Sequence, residues 1–272
     1  MTIETLHLFR PLHQKLIEVL KSLDQKDWGR ATLAREWSVK DVTAHMLDIS
    51  LRAISSDRDQ WELPAAAITD YRDLVNYLNR INADWVIAMR RVSPQLLIEW
   101  MDLTHEAYVR SLEKLDPLQP AKYSVAWAGE TTSLNWFHVA REYTEKWHHQ
   151  QQIREAIGRQ GILTKEFYHP VLSTFLQALP FNYRNVDAPE GTQVVLQIDT
   201  EAGGTWVMER HKTGWKFVHE SSQPQATIHV SATVAWKLFT KGIRAEDAVG
   251  DVSWKGPEEL TQPALRMISV IA

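Results

Sequence analysis

Residues 37–49, Trp37-Ser38-Val39-Lys40-Asp41-Val42-Thr43-Ala44-His45-Met46-Leu47-Asp48-Ile49, announce a helix and what it carries. Ser38 is a good N-cap, and Asp41 three residues on completes a capping-box pattern. The helix should therefore start at Val39 and run to the low fifties. Val42, Met46 and Ile49 form its apolar stripe, with His45 among them. A buried imidazole needs a hydrogen-bond partner or a metal.

Outward from this stretch, the pattern stays helical. On the N-terminal side, Leu6, Phe9, Leu12, Leu16, Val19 and Leu20 recur at three- and four-residue spacing, which predicts a helix over 3–22. Pro64 breaks the segment after the second helix. A third helix is expected over about 70–91. Ser93-Pro94 starts a fourth, about 94–115, which Pro117 and Pro120 end. Residues 118–132 read as loop. Ser133 is the expected cap of a fifth helix over about 134–158, closed by Gly158. These elements predict an all-α, up-down four-helix-bundle domain over residues 1–160.

The texture changes after that. A helix is expected near 166–179. Thr192–Thr200, Thr205–His211, Trp215–Glu220 and Ala226–Val230 read as strands, and Lys212-Thr213-Gly214 is a short hairpin signal. Ser231 caps a helix through Leu238, and a last helix covers about 257–271. Residues 161–272 are thus expected to form a smaller α+β domain with an antiparallel sheet.

Composition narrows the function classes. The chain has 272 residues, no cysteine, twelve tryptophans and a net charge of −4. A generic nucleic-acid binder is usually basic, so no nucleic-acid partner is expected. No disulfide, thiolate metal site or cysteine nucleophile can form. The N-terminal helix carries charges where a signal peptide would be apolar, and no 18-residue apolar run occurs. Neither a secretory leader nor a membrane span is expected, and cytoplasmic location is the default.

The chemistry concentrates in Arg141-Glu142-Tyr143-Thr144-Glu145-Lys146-Trp147-His148-His149-Gln150. Glu145 and His149 are four apart, about 40° around a helix and about 6 Å along it, so both can reach one ion. A third ligand must come from another helix, and His45 is the best donor. Glu/His at this spacing is also common as a plain surface pair. His138 shares the same face, and a His138–Glu142 pair is a rival. His105 could line the same cavity. His148 points about 100° from His149, which suggests an exposed or supporting role. His7, His13, His211, His219 and His229 read as structural or surface residues. Tyr143, Trp147 and Trp136 are candidate site walls or bundle core.

Two stretches resemble the branch of the DinB-like superfamily that contains mycothiol-dependent maleylpyruvate isomerase. The first is Trp37-Ser-Val-Lys-Asp-Val-Thr-Ala-His45. The second is Glu145-Lys-Trp-His-His149-Gln-Gln-Gln-Ile-Arg154. The resemblance implies a divalent metal on His45, Glu145 and His149. It also extends to a sterol-carrier-like second domain through Gly204–Arg210, Ala226–Ala232, and Gly250-Asp251 to Met267–Val270. Two departures accompany it: Gln152 stands where the family usually has Asp, and Arg244 only loosely matches the arginine that holds an anionic substrate.

The function so implied is a thiol-dependent isomerase or S-transferase. A low-molecular-weight thiol such as mycothiol would be activated at the metal and would add to an electrophilic small-molecule substrate. Zinc suits three nitrogen and oxygen ligands, and nickel and iron would also accept them. A metal-dependent hydrolase and a non-catalytic metal-containing binding or stress-response protein are the alternatives. An apolar cavity in the second domain would favour the last. A homodimer is compatible with the sequence.

Overall fold

The computed structural model describes residues 2–34, 36–61, 68–221 and 223–271, so Pro64 lies outside the described residues. Two compact units emerge. One comprises residues 1–122 and 134–162, the other residues 123–133 and 163–271.

The first unit is helical: α1 (Phe9–Lys21), α2 (Val39–Ala53), α3 (Tyr71–Met89), α4 (Pro94–Glu113) and α5 (Asn135–Ala156). The expected capping box forms. The Asp41 amide donates to Ser38 Oγ at 3.3 Å and the Ser38 amide donates to Asp41 Oδ2 at 3.1 Å. Arg90 adds an ion pair to the same carboxylate at 3.1 Å. The apolar stripe of α2 then packs into one cluster with Leu16, Leu20, Leu97, Met101 and Ile153 from the other helices. Val86 is the one buried residue of α3, which therefore lies at the flank of a four-helix core formed by α1, α2, α4 and α5. The α2 helix continues into a π-helical turn, Ile54–Arg58.

Ser133 does not cap α5. Its hydroxyl accepts from the Val125 amide at 2.8 Å and donates to Glu130. The turn at 116–119 supplies the cap instead: Asn135 and Trp136 donate their amides to the carbonyls of Gln119 and Pro117 at 2.9 and 3.0 Å. Gly158 closes α5 with a left-handed φ of 67°, as expected.

The second unit holds α6 (Lys165–Phe175), α7 (Leu179–Asn182), α8 (Ala232–Phe239) and α9 (Glu258–Leu265). Its strands are β1 (Gln193–Ile198), β2 (Gly204–His211), β3 (Gly214–Val218), β4 (Ala226–Val230) and β5 (Val252–Lys255). They form one sheet in the order β3-β2-β1-β4-β5. The antiparallel expectation holds for three pairings. The β1–β4 pair is parallel, because the chain leaves β3 and returns beside β1 rather than continuing the meander. The β5 strand escaped the sequence because its burial does not alternate: three of its four residues are exposed. The last helix stops at Leu265. Beyond it, the Ser269 amide and hydroxyl donate to the carbonyls of Phe239 and Phe175, both at 2.9 Å, which holds the tail against the unit's core.

No helix among the described residues is long and apolar enough to cross a membrane. Because Ser38 satisfies a helix-end amide at the start of α2, Ser38→Ala should lower stability by about 1 kcal/mol. Urea denaturation measures this, and an unchanged midpoint would show the cap to be dispensable.

Candidate metal centre

His45 sits in the second turn of α2, and Glu145, His148 and His149 occupy consecutive turns of α5. Two side chains pin α2 at His45. Trp85 donates its indole N–H to the Ala44 carbonyl at 2.8 Å, and Lys146 donates Nζ to the Met46 carbonyl at 2.8 Å and to Ser50 Oγ at 2.7 Å. The register between the two helices is thus held by polar contacts on both sides of the histidine.

Glu145, His148 and His149 offer ligand atoms that all lie within 4.8 Å of one another. His45 is not one of this group: it packs against His149 from α2, ring centroids 4.7 Å apart and nearly perpendicular at 82°, so the expected set of His45, Glu145 and His149 is not gathered at the same distance. Trp37 covers His45 from the other side at 4.8 Å. The three histidines are buried, while Glu145 keeps 24% of its side chain exposed.

The hydrogen bonds dictate where the lone pairs point. His149 Nδ1 donates to Gln152 Oε1 at 3.0 Å, so Nε2 carries the lone pair. That nitrogen faces Glu145 Oε2 at 3.5 Å. In the neutral, metal-binding form of the ring both atoms are acceptors. Two ligands on a tetrahedral zinc, with bonds of about 2.0–2.1 Å, are about 3.3 Å apart. The Nδ1 of His45 is buried with no hydrogen-bond partner among the described residues. The donor set therefore fits a divalent cation.

Protonation points the same way. Burial pushes the Glu145 carboxyl up, but His149, His148 and Arg141 outweigh it and bring it to about 2. Burial, with His149 beside it, holds His45 well below the ordinary histidine range and takes His148 to about 3. An ionised carboxylate and neutral imidazoles are the forms that bind metal.

The other residues singled out above fall elsewhere. The rival pair is engaged: Glu142 accepts from Tyr108 Oη at 2.9 Å and from Arg141 at 2.8 Å, and His138 Nδ1 accepts from Arg141 at 2.8 Å. Tyr143 and Trp147 are fully buried in the core, Trp147 donating Nε1 to the Ile162 carbonyl at 3.1 Å. Trp136 stacks on Phe137. Arg244, in the second unit, has 73% of its side chain exposed and pairs with Asp247 at 2.9 Å. The second unit carries an open groove of about 390 Å³ whose lining mixes Val195 and Val207 with Gln197, Thr205, His219 and Thr227; it is not an apolar lipid cavity.

His148 corrects the sequence expectation: it is buried, with its ring centroid 3.9 Å from that of His149. The relevant angle was to Glu145. At three and four residues on, His148 and His149 flank the glutamate at about −60° and +40°.

This combination of a helical bundle bearing a carboxylate–histidine cluster and a sheet-containing second unit defines a class. Residues 9–154, more than half of the chain, match the family profile described as the mycothiol maleylpyruvate isomerase N-terminal domain. The chain belongs to that family. Crystal structures of the mycothiol-dependent maleylpyruvate isomerase and of a single-residue variant share its fold. Their TM-scores are 0.55 and 0.56, their identities 13% and 12%, and each match covers 93% of both chains. A sterol carrier protein 2 like 2 from Aedes aegypti aligns with 36% of this chain and 95% of its own, at 19% identity and a TM-score of 0.27, too low to support a conclusion. A search of curated proteins finds no match.

Away from the cluster, His13 and His105 stack face to face, their centroids 3.7 Å apart, beside a cavity of about 20 Å³ that has room for one water. Burial, opposed by Asp102 and assisted by Lys146, lowers His13 to about 4. Burial, then His13, lowers His105 to about 3. Both sit near 6.5 when exposed. Between pH 6.5 and 4 the unfolded chain takes up protons that the folded pair refuses, so stability falls as pH drops. Replacing both with Gln should reduce that slope in a series of thermal melts across the window, the other buried histidines keeping their share. An unaltered slope would remove the pair as its source.

Proposed function

We propose that the chain holds one divalent metal ion, zinc, on His45, Glu145 and His149. We further propose that it acts as a thiol-dependent isomerase or S-transferase on a small electrophilic substrate. The observation that carries this reading is the confrontation of the His149 Nε2 lone pair with the Glu145 carboxylate, next to the unpartnered Nδ1 of His45. When bound, the ion supplies Lewis acidity that lowers the pKa of a thiol toward neutrality.

The protein's own residues do the rest. Gln152 fixes the His149 tautomer, Lys146 and Trp85 fix α2, and Trp37 shields His45 from water. With no cysteine in the chain, no internal thiol competes for the ion, and the reacting thiol is a small molecule of the mycothiol type, as family membership suggests. Three protein ligands leave a position open for it. Arg244 takes the part of holding an anionic substrate group that the resemblance implies.

Purified protein should contain about one metal per chain by mass spectrometry. His45→Ala, Glu145→Ala and His149→Ala should each weaken metal binding by at least about tenfold, with His138→Ala unaffected. In the cobalt-substituted protein, mycothiol should shift the visible spectrum. Retention of stoichiometric metal by all three variants would overturn the ligand set. Turnover that needs metal but no thiol would overturn the thiol role.

A further inference from the structure

Arg52 stands on the same line of α2 as His45. Seven residues make two helical turns, so the two lie about 20° apart around the axis and about 10 Å apart along it. Long side chains on a helix lean back toward its N-terminus, and Arg52 does so: its Nε lies 3.0 Å from Oδ2 of Asp48, one turn back in the direction of His45. The charge is felt on both sides of the site. Burial and His149 come first in keeping His45 unprotonated, and the Arg52 charge adds to them. Burial likewise leads in lowering Lys146, the chain neighbour of Glu145, and Arg52 adds to that as well.

The guanidinium is held in place but not used up. It carries five N–H donors in a planar fork. Nη2 donates to Asn82 Oδ1 of α3 at 3.1 Å. The contact of Nε with Asp48 lacks hydrogen-bond geometry, so that buried N–H has no acceptor among the described residues, and neither does Nη1. Asp48 does not neutralise Arg52 alone, because Lys146 also bears on that carboxylate from α5. Arg141, one turn before Glu145, is by contrast spent: its Nη2 donates to His138 Nδ1 and to Glu142 Oε1, both at 2.8 Å. Arg52 keeps 33% of its side chain exposed, which leaves the free end of the fork open to a molecule from outside.

We propose that Arg52 is a specificity-determining residue of the metal centre, which receives a carboxylate of the small molecule held at the ion. The inference rests on the metal and thiol reading above and adds to it a second point of attachment. It is separate from Arg244, which belongs to the second unit. The planar fork matches a carboxylate bidentately, and Asp48 and Asn82, from two different helices, fix its orientation. A neutral thiol meets the ion alone. A thiol acid meets the ion and the guanidinium, and its second contact forms within one bound molecule.

The test uses the full-length, cobalt-loaded protein and three small thiols, with binding read from the visible spectrum of the ion. Mercaptoacetate and 3-mercaptopropionate carry a carboxylate, and 2-mercaptoethanol does not. The unaltered protein should bind at least one of the acids about tenfold more tightly than the alcohol, as expected for hydrogen bonds between charged groups. Arg52→Gln should lose that preference while keeping its cobalt and its affinity for 2-mercaptoethanol. Arg52→Lys, which keeps the charge without the fork, should retain part of it. No preference in the unaltered protein overturns the inference. A preference that survives undiminished in Arg52→Gln reflects chelation at the ion and overturns it too, leaving the metal reading standing. Loss of cobalt or of 2-mercaptoethanol binding in Arg52→Gln marks a purely structural role and overturns it as well. An unaltered protein that takes up no cobalt, or whose spectrum answers to none of the thiols, overturns the reading on which the inference rests.

Discussion

A carboxylate facing an imidazole nitrogen, Glu145 against His149, inside a helical bundle is the constraint to which the rest of the first unit answers. Acceptors cannot satisfy one another, and a buried polar group without a partner costs free energy comparable to a lost hydrogen bond, more if it is charged. The Glu145–His149 contact at 3.5 Å is therefore stable only with a cation or a proton between the two atoms. The neighbouring side chains argue for a cation. Gln152 takes the His149 Nδ1 hydrogen, burial keeps His45 neutral, and the Nδ1 of His45 has no hydrogen-bond partner among the described residues.

That constraint explains the unusual character of α5. It is among the most buried helices, yet its buried residues include His148, His149, Gln150, Gln151 and Gln152, with Glu142, Glu145 and Lys146 half-buried beside them. A polar helix in a core holds its place only through specific partners. Glu142 has Tyr108 and Arg141, Lys146 has the Met46 carbonyl and Ser50, and Arg154 donates to the carbonyls of Gln160 and Lys15 at 2.7 and 2.9 Å. These bonds fasten α5 to α1, α2 and α4. They also place Glu145 opposite His45, so the network that stabilises the bundle is the one that assembles the site.

Local signals were legible in the sequence wherever one residue type does one job. Ser38 and Asp41 marked the start of α2 to the residue, Ser93-Pro94 marked α4, and the stretches that form β1–β4 read as strands, with Lys212-Thr213-Gly214 marking the β2–β3 hairpin. What stayed hidden depended on distant chain segments. Ser133 looks like a cap, but its hydroxyl is taken by Val125 and Glu130, and a turn around residue 117 caps α5 through backbone carbonyls. The parallel β1–β4 pair is a matter of topology that no local pattern encodes. An exposed edge strand such as β5 has no apolar face to reveal it. In the site, the i, i+4 relation of Glu145 and His149 was plain, whereas the burial of His148 depends on packing that no local pattern encodes.

The exchange of aspartate for Gln152 bears on what the site can attract. The amide oxygen still accepts from His149 Nδ1, so the orienting role survives the loss of charge. What changes is the electrostatic sum. For the proposed divalent ion, one carboxylate ligand and neutral imidazoles leave a net positive centre. An aspartate at 152 would cancel part of that charge through the imidazole it touches, and a glutamine does not. Lys146, next to Glu145 in the chain, is brought down to about 8 by burial, with Glu142, Asp48 and Glu145 opposing. If the proposed ion is bound, a centre with this balance would favour anionic partners over neutral ones.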